Sequence, residues 1–392
     1  MTRTLNGARG PKRRLRNVIP RVTDRRQLHA AFLTDIVTAC RSLPNITLRV
    51  AHTPDGDTGI FHYMNRNKTS VILDVGQPED RALFDELIDE ADVFVHNLRP
   101  GVAGKLGIDA ETLRKQNPRL IHGDIAAFGH VGPLKDRSGY ELALQAYGGI
   151  LSITGTPEAG PMRAGPSIMD LGTGMWMTIA VLAALVRRGA NGEGCTLQAS
   201  LLETAVSWMA VHLSNDVIDG EIPVPFGAGH QLVAPYGAYQ ASDGPIIIAT
   251  GSDSLFAKLA TALGHPEWPK DQRFRTNTDR TENRAAIDAL VSETIITREA
   301  AHWIELFAGV QVPCVPIQNI AQMMDDEQVK AIGIMQPEPE SGVSYVGMPF
   351  NVNGERPQIR KVASTLEEAT QARAQVETAV AAGESPFEKL FG

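Results

Sequence analysis

Short β-branched runs separated by amphipathic stretches do most to narrow the fold of this chain. Residues 70–75 (SVILDV), 93–95 and 120–125 each read as a buried strand, and residues 80–91 read as an amphipathic helix. Strands alternating with helices predict parallel βαβ units and an α/β domain. Ligands on such sheets gather beyond the carboxyl ends of the strands. The loops after Val75, Val95 and Ile125 are therefore where chemistry is expected.

Farther along, residues 138–150 predict a helix, residues 155–165 a Gly/Pro-rich loop, and residues 171–188 a long helix. Residues 196–209 start as a strand and continue as a helix. The texture changes at Pro223. Residues 235–241 and 245–250 flank a Ser-Asp-Gly turn and predict a hairpin. Helices are expected at 255–263 and 284–295, with a proline-stiffened connector at 312–316. These readings divide the chain into an Arg-rich segment 1–52, a large Rossmann-like domain 53–222, a small α+β domain 223–325, and a return 326–392 ending in a surface helix at 365–382.

Charge is unevenly spread. The first fifty residues hold ten Arg and one Lys against two Asp, a sum of +9, while the whole chain of 392 residues carries −8. The remainder thus carries −17, which argues against a general nucleic-acid binder. The Arg-rich segment reads as a targeting presequence, as a basic arm, or as foreign to the rest. Cys40, Cys195 and Cys314 lie far apart with no CxxC spacing, so no zinc site or disulfide framework is expected, and a cytoplasmic location follows. No uninterrupted apolar run reaches the ~18–20 residues that span a bilayer, so no membrane association is expected.

Asp170 opens the long apolar helix. It reads either as an N-cap or as a nucleophilic carboxylate at a helix start. Gly172 and Gly174 follow it and permit close approach. Glu141 sits beside Tyr140 and closes a Ser138-x-x-Glu141 capping-box pattern, or else it is a second carboxylate for the same site. Asn67 and Lys68 precede the first strand; Asn97, Leu98 and Arg99 follow the second, with Lys105 just beyond. Basic loops at strand ends suit a phosphate-bearing ligand, and equally a solvated surface. Walker A, GxGxxG, HExxH and GxSxG spacings are all missing from the sequence.

In order, these stretches resemble the family III CoA-transferases. Residues 65–70 (NRNKTS) resemble the family's N-x-N-K-x-S element, and residues 95–107 (VHNLRPGVAGKLG) its E-N-F-x-P-G loop. Residues 128–140 are similar to G-F-G-x-x-G-P…G-Y, residues 148–155 to G-G-x-x-x-x-T-G, and residues 169–174 to the catalytic D-x-x-T/S-G. Asp243-Gly244, residues 273–277 and the Val-Pro-Cys-x-Pro stretch at 312–316 follow in family order, so the resemblance spans roughly 53–355.

The resemblance implies a CoA-transferase in which Asp170 attacks an acyl-CoA thioester. Tyr140 and Glu141 would line that site, and Asn97, Leu98, Arg99, Lys105, Asn67 and Lys68 would hold CoA. Acyl-CoA and a small carboxylic acid would be the substrates, with no permanently bound cofactor or metal. Two chains would interlock as a homodimer. The α-methylacyl-CoA racemases share the fold but carry a His where this chain has Tyr140, which places that activity second. The family's opening strand and its CoA-contacting Gln and Arg are not visible in residues 1–52. That departure, with the charge step, motivates the expectation that this segment is out of frame or replaced, with family sequence resuming near Thr53. It also keeps open an inactive CoA-binding homologue.

Overall fold

The computed structural model describes residues 59–220, 222–338 and 344–391. The Arg-rich segment and Cys40 lie outside them. The chain divides into two compact units. One comprises the chain up to Gly149, Ala164–Val211 and Gly333–Gly392; the other comprises Ile150–Arg163 and His212–Ile332. The smaller unit thus takes in residues 150–163, which the sequence reading assigned to the large domain. Its short hairpin, Gly155–Thr156 with Gly160–Pro161, is bonded there from Gly227 N to Gly155 O at 2.6 Å.

The larger unit begins with helices α1 (Gly59–Asn65) and α2 (Pro78–Glu90). Strand β1 (Val93–His96), helices α3 (Val102–Leu106) and α4 (Ala110–Gln116), and strand β2 (Ile121–Ala126) follow. Next come α5 (Glu141–Tyr147), the long α6 (Ile168–Asn191), strand β3 (Cys195–Ser200) and α7 (Leu201–Trp208). After the smaller unit the chain returns as β4 (Met335–Pro337), β5 (Ser344–Val346), α8 (Leu366–Ala382) and α9 (Pro386–Phe391).

Strands β1, β2 and β3 pair in that order, all parallel. His96 lies opposite Asp124, and Ala126 opposite Ser200. The α/β expectation therefore holds for this sheet. Residues 70–75 differ: among the described residues they join no ladder. Their polar groups go elsewhere. Ser70 N donates to Ser364 Oγ, Asp74 N donates to Asp80, and Ile72 O accepts from Arg373. A β-branched run becomes a strand only where a neighbouring backbone meets it.

Phe84, Ile88, Ile108, Leu113 and Leu120 form an apolar cluster between α2, α4 and the sheet. Helix α8 was expected as a plain surface helix. It buries Ala369, Ala372, Val376 and Ala379 at helical spacing, and Ala372 and Val376 pack with Val71 and Leu83. Arg373 on the same helix pairs with the buried Asp80 at 2.5 Å. Burial works against the ionised Asp80, but the bonds from Arg373 and Asp74 N outweigh it and hold the carboxyl below its ordinary range.

Helix α6 is the centre of the unit and packs against β2, β3, α5 and α7. By length and composition it is apolar enough to cross a membrane, although no uninterrupted apolar run within it is that long. Gly172, Thr173 and Gly174 interrupt the run while the average stays apolar. Met169, Met177, Val181 and Ala184 are buried. The approach of α7 depends on Gly172. A Cβ there would stand 2.4 Å from Trp208 and 2.9 Å from Thr204.

The smaller unit has its own core. Strand Pro245–Ala249 pairs antiparallel with Tyr236–Gln240, as the hairpin reading expected, and on its other side with Cys314–Pro316. The proline-stiffened connector is thus a third strand. Helices Asp253–Ala262, Arg284–Ile295 and Ala300–Val310 bury Phe256, Ile287, Val291, Trp303 and Phe307 against this sheet.

Gly172→Ala tests the helix contact. The clash should cost about 1–3 kcal/mol, against a helix-propensity gain of at most about 1 kcal/mol. A chemical-denaturation midpoint below that of the parent protein is expected.

Candidate active site

The carboxyl ends of β1, β2 and β3 lie on one edge of the sheet, at His96, Ala126 and Ser200. After β1 the chain turns at residues 97–101. Val102 N donates to Arg99 O, and Gly101 takes a left-handed conformation (φ 76°) that only glycine adopts readily, starting the short helix α3. Arg99 and Lys105 are exposed on this turn and helix, while Asn97 and Leu98 are half-buried. Leu98 packs into the Phe84–Leu120 cluster. The sequence reading thus placed four of its ligand candidates together.

Asn67 and Lys68 are placed differently. The Asn67 carboxamide oxygen accepts from Arg360 N at 2.7 Å and Lys361 N at 3.0 Å, and Asn67 itself holds φ 61°. Lys68 is fully buried, its ammonium donating to Met64 O and Asn65 Oδ1. Ser364 Oγ donates to Lys68 O at 3.1 Å. Both residues stitch the start of the described chain to residues 360–364. These bonds hold the Lys68 ammonium and the Asn67 carboxamide oxygen within the fold.

Asp170 is the third residue of α6, not its cap. Ser167 holds the N-cap position and makes no side-chain cap bond. The helix end is satisfied in another way. Ile168 N donates to Pro166 O, and Leu171 N donates to Ser167 O. Between them, Met169 N donates to Glu141 Oε1 at 3.3 Å and Asp170 N donates to Glu141 Oε2 at 3.0 Å. A carboxylate from α5 thus caps α6 from outside. That is favourable at the positive end of a helix dipole. The local capping box expected around Ser138 does not form: Tyr140, not Ser138, is the N-cap residue of α5. Tyr140 is exposed beside Glu141, and Asp170 is half-buried.

Two further groups hold this arrangement. Thr173 Oγ1 donates to Met169 O and meets Thr204 Oγ1 at 2.8 Å. Gln145, fully buried on α5, donates to Glu141 Oε1 at 2.6 Å and accepts from Ala164 N at 3.0 Å. Gln145 was not singled out from the sequence, and Thr173 entered only as part of the D-x-x-T/S-G stretch. The i, i+4 spacing of Glu141 and Gln145 was the available signal.

A histidine cluster at the same strand ends was also missed. His96 Nδ1 lies 3.5 Å from Asp124 Oδ1, and His130 Nε2 lies 3.2 Å from Asp124 Oδ2 without hydrogen-bonding alignment. His122, two residues before Asp124 on β2, contacts Ile108 O through Nε2 and the His96 ring edge-on. Burial pushes His96 down to about 4, against the pull of Asp124, and burial also lowers His122. Burial opposes ionisation of Asp124 in turn, yet contact with His130 and the nearby His96 hold its carboxyl below the ordinary range.

These shifts predict a pH effect with a definite sign. The unfolded chain protonates His96 near pH ~6.5, whereas the folded chain does so only near 4. Stability should therefore fall as pH drops through that interval, with His96 contributing up to about 1.4 kcal/mol per pH unit. His96→Gln should flatten the slope of melting temperature against pH there and leave it unchanged above pH ~7.

Comparison with known proteins adds to this geometry. The family described as CoA-transferase family III matches residues 42–370, beginning upstream of Thr53. An acetyl-CoA:oxalate CoA-transferase of Acetobacter aceti is 34% identical over 316 residues, covering 80% of this chain and 81% of the relative. A succinate–glutarate CoA-transferase of Agrobacterium fabrum is 33% identical, covering 74% and 72%. The crystal structure of a CAIB/BAIF family protein from Brucella suis superimposes with a TM-score of 0.78 at 32% identity, over 89% of this chain and 96% of that one.

Proposed function

The chain belongs to CoA-transferase family III, and on that premise we propose that it moves coenzyme A from an acyl-CoA donor to a carboxylic acid through a covalent intermediate on Asp170. The observation that carries this reading is the capping of α6 by Glu141. The amides that an aspartate in the first turn would ordinarily serve are already bonded to another carboxylate. Those two amides therefore have an acceptor other than the Asp170 side chain.

The reaction follows from a carboxylate nucleophile. Asp170 attacks the thioester carbonyl and the C–S bond breaks, giving an aspartyl acyl anhydride and CoA thiolate. The thiolate attacks the aspartyl carbonyl, releasing the donor acid and leaving an aspartyl-CoA thioester. The acceptor carboxylate attacks that same carbonyl and displaces the thiolate. The thiolate then takes the acceptor's acyl carbon, which frees Asp170. No electrons change hands overall, and one thioester is exchanged for another. Anhydrides hydrolyse, so the site must exclude water.

The exposed Arg99 and Lys105, with Asn97 and Leu98, are the proposed CoA contacts at the end of β1, with the two cations facing phosphate. Asn67 and Lys68 are assigned a structural role. Tyr140 and Glu141 are proposed to border the acyl group. A racemase of this fold would carry a His where the exposed Tyr140 stands. A second copy of the chain is the proposed partner. Met175, Trp176, Ile179 and Val186 on α6 are exposed apolar residues that support it. CoA is treated as a substrate and not a resident cofactor, and the cytoplasm is the proposed location, on the cysteine spacing. Oxalate, succinate and glutarate, named in the two relatives, are the first acids to try.

The test is intact-protein mass spectrometry after incubation with acyl-CoAs and a hydroxylamine quench. A hydroxamate on Asp170 is expected, absent in Asp170→Ala, whose turnover should fall about 10³-fold or more. No adduct with any donor would overturn the reading.

A further inference from the structure

Residues 97–108 carry the proposed CoA contacts Asn97, Leu98, Arg99 and Lys105, and each end of that segment meets a buried histidine. At its start, Leu98 N donates to His96 Nδ1 at 3.4 Å. At its end, Ile108 O accepts from His122 Nε2 at 3.2 Å. Between these points Val102 N donates to Arg99 O, Lys105 N to Gly101 O and Ile108 N to Ala103 O, so the segment is coiled on itself. Arg81 donates to Leu106 O from α2. The two rings stand edge-on with centroids 5.1 Å apart. The parallel register puts them together, because it sets His96 opposite Asp124, two residues past His122 on β2.

We infer that His96 and His122 are positioning residues, which pin the two ends of residues 97–108 to the sheet and so set where the CoA contacts proposed on that segment stand. The inference rests on the proposed CoA role of the segment. An amide can only donate and a carbonyl can only accept, so each contact fixes one ring: His96 Nδ1 is bare, and His122 Nε2 carries its proton. The nitrogens left over, His96 Nε2 and His122 Nδ1, are buried with no hydrogen-bond partner among the described residues. Burying an unpaired polar atom is costly, and an apolar side chain would avoid that cost. What the two histidines add in return is their contact with the segment. The His96 ring must stay neutral for this, since a protonated Nδ1 would turn to Asp124 Oδ1, 3.5 Å away, and lose the Leu98 amide. Burial keeps it neutral, pushing it down to about 4.

The variants are His96→Leu, which fills similar space with no acceptor, and His96→Asn, whose amide oxygen can take the place of Nδ1. Affinity for free CoA is read by calorimetry and folding by circular dichroism. His96→Leu should weaken CoA binding about 10-fold or more, and His96→Asn by less than about threefold. Unchanged affinity in His96→Leu would overturn the inference. So would equal losses in the two variants, which would make the ring a packing group only. If His96→Leu fails to fold, the pair His122→Leu and His122→Gln serves instead. The glutamine amide can donate to Ile108 O as Nε2 does, so the same order of affinities is expected and equal losses would overturn the inference. If the parent protein binds no CoA, the proposed function falls, and hydrogen exchange tests the pinning by itself. Exchange should quicken in residues 98–108 of the leucine variant and not in its amide counterpart, with β2 and β3 unchanged; no such difference would end the inference.

Discussion

The first turn of an α-helix leaves backbone amides that must find acceptors, and the larger unit is built around one such end. Helix α6 runs through the middle of that unit, so its start cannot be left frayed. The turn ahead of it brings Ala164, Pro166 and Ser167, and Pro166 and Ser167 each supply a carbonyl that accepts one amide. The remaining two amides are met by Glu141, reaching from the first turn of α5. Gln145 and Thr173 then fix the two partners from either side. The sheet, α5 and α7 are held at distances set by this helix. The close contact of Gly172 with Trp208 shows how little room the arrangement leaves.

Much of the architecture was legible in the sequence because it is written locally. Strands β1 and β2 announce themselves by β-branched runs, and α6 by its length and apolarity. The hairpin of the smaller unit is signalled by Ser242-Asp243-Gly244 between two apolar stretches. What escaped was written across distance. Residues 70–75 have strand composition but lack a ladder partner among the described residues, and composition cannot report a partner. Helix α8 hides a buried face in alanines, whose small side chains weaken the hydrophobic signal while packing well.

The site shows the same division. Asp170 and Glu141 were both singled out, each as either a local cap or a carboxylate of the site, and the structure replaces the local caps with bonds from α6 to Glu141. Ser138-x-x-Glu141 fits a capping box by spacing, but the amides Glu141 meets lie 28 and 29 residues away. The histidine cluster follows a similar rule. His122 and Asp124 share a face of β2 by simple alternation, which a sequence shows. His96 joins them only through the parallel register that sets it opposite Asp124, which a sequence does not show. Asn67 and Lys68, read as ligand candidates, also make contacts that the sequence did not show. Their charge and polarity drew attention, while their bonds to Arg360, Lys361 and the preceding helix turn were not readable from spacing.

Two acidic residues meet at the start of α6, where the Glu141 carboxylate accepts from the backbone of Asp170. Glu141 has each oxygen engaged by donors that belong to the scaffold, so moving it would unsettle a helix end and a buried amide together. Its best use is to stay where it is. Asp170 contributes its backbone to that same network, which fixes its Cα, while the amides around it already have acceptors. The nucleophilic role proposed for Asp170 needs a rigid attachment point, and that backbone bond supplies one. Acyl transfer through an anhydride would be badly served by a carboxylate that must release a structural bond before each attack, because that bond's strength would be added to the barrier at every turnover. With the cap on Glu141, the bonds that satisfy the amides of Met169 and Asp170 need not break in the reaction proposed for Asp170.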